Sequence, residues 1–164
     1  MNTEALNKAI ASLKFVDVFV TNSTCNLNPD FDPKFDARSE NLSFQTKNFV
    51  TASAVIEGEG EDGLLQMFRV TSELGIRVVC KDDVEAGVDE PEVLALVEAT
   101  MEADYSITDA SIIDDQEALD TFALNNVSYH VWPYWREYVT SQLLRMNMPK
   151  LVLPMLLRAS NQEK

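Results

Sequence analysis

Residues 93–107 carry the plainest pattern in the chain. Val93, Ala95, Val97, Ala99, Met101, Ala103, Tyr105 and Ile107 alternate with a polar set that includes Glu98, Thr100, Glu102, Asp104 and Ser106. A period of two over this length predicts a strand with one dry face and one wet, acidic face. Residues 64–80 repeat it less strictly, with Leu64, Phe68, Val70, Leu74, Ile76 and Val78 apolar and Arg69, Thr71, Glu73 and Arg77 polar. A strand over about 42–57 precedes it, joined through the turn Glu57 to Gly63. Residues 14–25, with Phe15, Val16, Val18, Phe19 and Val20, are rich in β-formers and complete a set of four. Short connections make the sheet antiparallel.

The ends of the chain change period. Leu6, Ile10 and Leu13 recur at helical spacing over 3–12, with Thr3 as a cap. Asp114 and Asp115 start a helix over 115–125 that carries Leu119 and Phe122. Another helix is expected near Trp132, with Pro133 tolerated in its first turn and a stripe of Trp132, Trp135, Val139, Leu143 and Met146. Pro149 stops it, and Leu151 to Pro154 form an extended exit. The order helix, four strands, two helices predicts a single α+β domain over residues 1–164, with a four-stranded antiparallel sheet and helices on one face. Between the first two strands, residues 26–41 hold Pro29 and Pro33 and read as a long surface loop presenting Phe31 and Phe35.

Charge narrows the function. With 13 Lys+Arg against 27 Asp+Glu, the net charge is -14. That disfavours nucleic acid or an anionic membrane as partner and favours basic segments. No run approaches the roughly 20 apolar residues of a membrane span, and the N-terminus lacks the apolar core of a secretory signal. Cys25 and Cys80 are expected as free thiols in a reducing cytoplasm.

Catalytic chemistry is hard to assemble, and the chain is not expected to be an enzyme. His130 is the sole histidine and is expected to bond to backbone or water. There is no G-x-S-x-G, phosphate loop, paired C-x-x-C or calcium-loop spacing, so no cofactor or metal is expected. The acidic runs Glu57 to Asp62 and Asp82 to Glu92 read as solvated turns. What stands out is apolar, aromatic and sulfur-rich character near the end: Trp132, Tyr134, Trp135, Tyr138, Met146, Met148, Met155, Leu156 and Leu157. Any surplus over the needs of the core would line a groove for apolar chain segments, where flexible methionines adapt to varied surfaces.

Trp132-Pro133-Tyr134-Trp135-Arg136-Glu137-Tyr138-Val139, followed by Arg145 and by Met148-Pro149-Lys150-Leu151-Val152-Leu153, resembles the signature of SecB-type export chaperones. Leu96-Val97-Glu98 and Tyr105-Ser106-Ile107 resemble the Leu-x-Glu and Phe-Ser-Ile segments of that family. Glu102-Ala103 stands where the family usually has Gly-Gly, and Arg145-Met146 where it has Arg-Gly. The resemblance implies an ATP-independent holdase, assembled as a dimer of dimers in the cytoplasm. Such a holdase would bind unfolded or precursor polypeptides in apolar grooves and keep them translocation-competent for delivery to SecA. A dedicated binding module or antitoxin chaperone with one partner is the alternative.

The client groove is expected between the 26–41 loop, the sheet edge and the Trp132 helix. Its candidates are Phe31, Phe35, Phe44, Tyr134, Tyr138, Gln142, Met148, Leu151 and Leu153. By the same resemblance, Leu96, Glu98 and Glu102 would dock SecA or a similar basic partner. Asn22 and Asn26 stand at first-strand positions where the family carries acidic residues.

Overall fold

The computed structural model describes residues 2–61 and 63–156. Leu157 and Asp62, both named above, lie outside the described residues. The elements run α1 (Thr3–Ser12), β1 (Leu13–Leu27), β2 (Leu42–Gly60), β3 (Gly63–Cys80), α2 (Lys81–Glu85), β4 (Val93–Ile107), α3 (Gln116–Asn125) and α4 (Val127–Arg145). Short 3-10 turns occupy Ala37–Glu40 and Ala110–Ile112. The four strands form one antiparallel sheet in the order β1-β4-β3-β2. The expected α+β architecture and antiparallel sheet are present.

Alternation decides which way the sheet faces. On β4, Ala95, Val97, Ala99, Met101, Ala103 and Tyr105 are buried, and on β3 Phe68, Val70, Leu74, Ile76 and Val78 join them. Helix α4 lies on this dry face with Val127, Val131, Trp132, Trp135, Val139 and Leu143 buried. Helices α1 and α3 close one end of the core through Leu6, Ala9, Leu119 and Phe122. Asn2, not Thr3, caps α1, accepting from the Ala5 N–H at 3.2 Å. Its amide also donates to Glu117 at 2.7 Å, tying α1 to α3. Asp115 caps α3, as expected.

Three local expectations are corrected. Helix α4 starts at Val127, well before Trp132, and Pro133 lies inside it. The apolar stripe continues backwards through Val131 to Val127, and burying those two residues outweighs the one backbone bond that Pro133 removes. The Pro133 position is exposed, so the freed carbonyl one turn earlier can meet water. Neither acidic run is turn throughout: β2 pairs with β3 as far as Gly60 in the first, and α2 opens the second, directly after β3.

The third correction concerns Phe31, which is not presented by its loop. It is 3% exposed and belongs to the core, whereas Phe35 is 86% exposed. The loop is ordered by Asn28, whose N–H donates to the Leu94 carbonyl at 2.9 Å and whose side chain donates to Glu92 at 2.8 Å. Arg38, bridged to Asp36 and to Glu92 at 2.7 and 2.9 Å, lies with its guanidinium 5.4 Å from the Phe31 ring centroid. The loop thus turns one phenylalanine inward and clamps it with a cation.

The two phenylalanines should therefore behave oppositely on truncation. Phe31→Ala is expected to lower unfolding free energy by about 3 kcal/mol or more, and Phe35→Ala by less than about 0.5 kcal/mol. Urea denaturation checks both.

Candidate functional site

The residues expected to line a client groove fall into three sets. Phe31, Met148 and Leu153 are buried at 3%, 5% and 1%, so they serve the core and do not offer a surface. Phe44, Tyr138 and Leu151 are half-buried and packed against that core, and Gln142 is half-buried on α4. Phe35 and Tyr134 are exposed. Tyr138 stacks on Trp135 with centroids 6.1 Å apart, and its hydroxyl lies 3.9 Å from the Cys25 sulfur. Cys25 is exposed and Cys80 buried, and both are free thiols.

The motif around α4 works as a clasp. The Trp132 indole N–H donates to the Pro154 carbonyl at 2.9 Å, and Arg136 Nε donates to the Leu153 carbonyl at 2.9 Å. These bonds hold the extended segment 149–156 along the helix, with the Leu153 side chain turned into the core. Between helix and segment runs an open groove of about 520 Å³, whose lining includes Pro133, Thr140, Leu144 and Val152. Leu144, Val152 and Met155 are each more than half exposed. Sequence reading missed Leu144 and Val152 here. Their apolar character was visible, but their outward direction depends on how segment 149–156 is pinned.

A further groove of about 510 Å³ opens between α1, the start of β1 and the α3–α4 junction. Ile10, Leu13, Phe15, Tyr105, Phe122 and His130 line it. The partner of His130 is a side chain and not the backbone: its Nδ1 lies 2.9 Å from the Tyr105 hydroxyl. Burial raises the Tyr105 phenol above its ordinary pKa and lowers that of His130. The phenol therefore keeps its proton and the imidazole is neutral, and a single hydrogen bond joins them. Phe15 and Phe122 pack about this pair, with the Tyr105 and Phe122 rings edge-on at 5.0 Å. No sequence signal marked this groove, because its walls come from five separate elements, α1, β1, β4, α3 and α4.

The opposite face of the sheet is not the bare acidic surface that alternation suggested. Arg69 on β3 binds Asp104 through two nitrogens, at 2.7 and 2.8 Å, and reaches Glu102 at 3.2 Å. Its guanidinium lies 5.1 Å from the Phe19 ring centroid. Lys47 on β2 reaches Glu98 at 2.8 Å. Glu102 is thus paired with a cation from the adjacent strand β3 and Glu98 with one that reaches across β3 from β2, and Leu96 lies half-buried beside them. Among the described residues, no group of three His, Cys, Asp or Glu side chains is arranged to hold a metal ion, and no helix is long and apolar enough to cross a membrane.

The Mycobacterium tuberculosis Rv1957 SecB-like chaperone, solved in complex with a ChAD peptide from the Rv1956 HigA1 antitoxin, superposes with a TM-score of 0.70. The match covers 94% of this chain and 98% of that one, at 16% identity. The fold is SecB-like. No family model and no curated protein matches the sequence. A protein of unknown function from Streptococcus agalactiae aligns at a TM-score of only 0.33 and 8% identity, too distant to carry an argument. Within the SecB-like fold, the two apolar grooves lie beside α4 or its junction with α3, and the ion-paired surface lies across the sheet from them.

The His130–Tyr105 pair sets a pH dependence. In the unfolded chain His130 titrates near its ordinary value of about 6.5, whereas burial depresses it in the fold. Stability is therefore complete above that value and falls as pH drops below it, because the unfolded state takes up the proton first. Asp36, Asp109 and Asp115 are held below their ordinary values by Arg38, the Ser111 N–H and Lys8 respectively, so their losses come at lower pH. Melting temperature should decline between about pH 7 and 5.5, and His130→Asn should flatten that decline.

Proposed function

We propose that this protein is an ATP-independent holdase that binds unfolded polypeptides, precursor proteins among them, at the apolar grooves beside α4. The observation that carries this reading is exposed apolar surface at the grooves of a SecB-like fold: Leu144 and Val152 line the groove of about 520 Å³ and Ile10 the one of about 510 Å³, with Tyr134 and Met155 also exposed. Large aromatic and aliphatic side chains give contact area without demanding one client sequence, and methionine repacks around different partners. No nucleotide is required. Preferential binding of the unfolded chain holds it there by mass action. The net charge of -14 keeps the loaded complex soluble and draws basic client segments towards it.

Delivery would use the other face. Leu96, Glu98 and Glu102 form the proposed docking surface for SecA or a similar basic partner, away from the client. The proposed compartment is the cytoplasm and the proposed assembly a dimer of dimers. Strand β1 supports the assembly: it is an open edge with Val16 and Val20 at 51% and 41% exposure, and such an edge invites pairing with another chain. A second reading has specific support, since the Rv1957 chaperone is bound to an antitoxin peptide. On that reading this chain serves one dedicated partner through the same grooves.

Client number separates the two. At near-stoichiometric amounts the protein is expected to suppress aggregation of several unrelated denatured proteins, monitored by light scattering. Leu144→Asp combined with Val152→Asp should weaken the effect without unfolding the chain, because it spoils one of the two grooves. Suppression of none would contradict the holdase reading and leave the dedicated one. Sedimentation at micromolar concentration is expected to give four copies of the chain, and a monomer would remove the proposed assembly.

A further inference from the structure

Gly75 sits in the middle of β3, where a glycine weakens a strand. The backbone does not ask for it, because positive φ among the described glycines is confined to Gly63 and Gly87. What asks for it is Lys47. Lys47, Gly75 and Glu98 stand in one row across three strands, Lys47 opposite Gly75 and Gly75 opposite Glu98. The lysine stem runs over the glycine, so that a Cβ there would lie 2.7 Å from Lys47 Cε and 2.9 Å from Cγ. The ammonium lands 2.8 Å from Glu98, with Glu73 at 3.9 Å on the near strand.

Stability does not account for this arrangement. The Lys47 and Glu98 side chains are 35% and 38% exposed, and an ion pair so open to water returns little. What it does is seat a displaceable cation on the carboxylate at the centre of the sheet's polar face. The seat borders a groove of about 330 Å³ that Gln45, Arg77 and Leu96 also line.

We propose that Lys47 is a built-in competitor that sets which partner this face accepts: a basic peptide segment, whose Lys or Arg takes the Lys47 seat on Glu98. The proposal rests on the docking reading above. Charge complementarity identifies the occupant, because Glu98 already holds an ammonium and Glu73 stands beside it; the incoming cation reaches Glu98 from solvent and does not need the track over Gly75. Glu73 offers the displaced Lys47 a second carboxylate. A single weak cation does not win the seat, whereas a segment with several cations does.

The test uses the full chain and a fluorescent peptide rich in Lys and Arg but free of large apolar residues, which keeps it out of the grooves beside α4. Lys47→Gln removes the competitor. Gly75→Ala displaces it, since the contacting atoms belong to a flexible side chain and the strand backbone tolerates alanine. Each variant is expected to tighten peptide binding by about fivefold at low salt, with the gain lost at high salt. The double variant should gain no more than either single one. Glu98→Gln should weaken binding at least about tenfold in the Lys47→Gln background, while aggregation suppression stays unchanged in every variant. If Glu98→Gln weakens binding but Lys47→Gln leaves it unchanged, the face docks cations and Lys47 is not the competitor. If Glu98→Gln has no effect, or no variant binds the peptide, the docking reading falls as well. Should Gly75→Ala melt early, Lys47→Gln alone decides.

Discussion

The dry face of the sheet has to be covered, and the helices are too short to cover it with one element. β4 has 15 residues and extends about 50 Å, and β2, with 19, is longer still. α4 also has 19 residues but rises only about 28 Å. The remainder is closed by smaller pieces: α1 and α3 at one end, the inward Phe31 of the loop, and Leu153 of the segment clasped by Trp132 and Arg136. Both large apolar grooves lie at seams between these pieces. A cover assembled from separate elements buries the sheet while leaving apolar side chains at the joints. A protein that must stay folded and still offer apolar surface to another chain needs that combination.

The polar face obeys a different constraint. Alternation on β4 places Glu98, Glu102 and Asp104 close together, and their repulsion would weaken the strand if unopposed. β3 and β2 answer with Arg69 and Lys47. The two answers differ in kind. Arg69 holds a carboxylate that is itself buried, in fork geometry, with an aromatic ring behind the guanidinium, and this favours permanence. Lys47 holds an open carboxylate through a single contact on a flexible stem. The proposed client grooves and the proposed docking surface thus lie on opposite faces and share no residues.

Much of the fold is legible in the sequence, because strands with one buried face write a period of two into the chain. β4 was readable over its full length, and β3 nearly so, from Val70, Leu74, Ile76 and Val78. The start of α4 was not, since Pro133 reads as a first-turn residue while the stripe through Val131 to Val127 carries the helix past it. Phe31 and Phe35 look alike in sequence. Only the hydrogen bonds of Asn28 and the position of Arg38 decide which one turns inward, and these depend on Leu94 at the start of β4 and on Glu92 just before it, far along the chain. The polar-face ion pairs were hidden for the same reason, as register between strands brings Lys47 and Arg69 to their partners. Of the residues that motif and alternation single out, Tyr134 is exposed, whereas Tyr138, Leu96 and Glu98 are half-buried. The grooves themselves are products of packing between elements, which no local pattern records.

On the proposed function, unfolded chains bind at the seams of the dry-face cover. Hydrogen exchange of the full protein, free and loaded with a denatured client, tests it most directly. The expected result is client-dependent protection at α4 around Tyr134 to Leu144, at segment 149–156 and at the start of β1, with exchange around Leu96 to Glu102 unchanged. Protection confined to Leu96 to Glu102, with α4 and segment 149–156 unaffected, would contradict it.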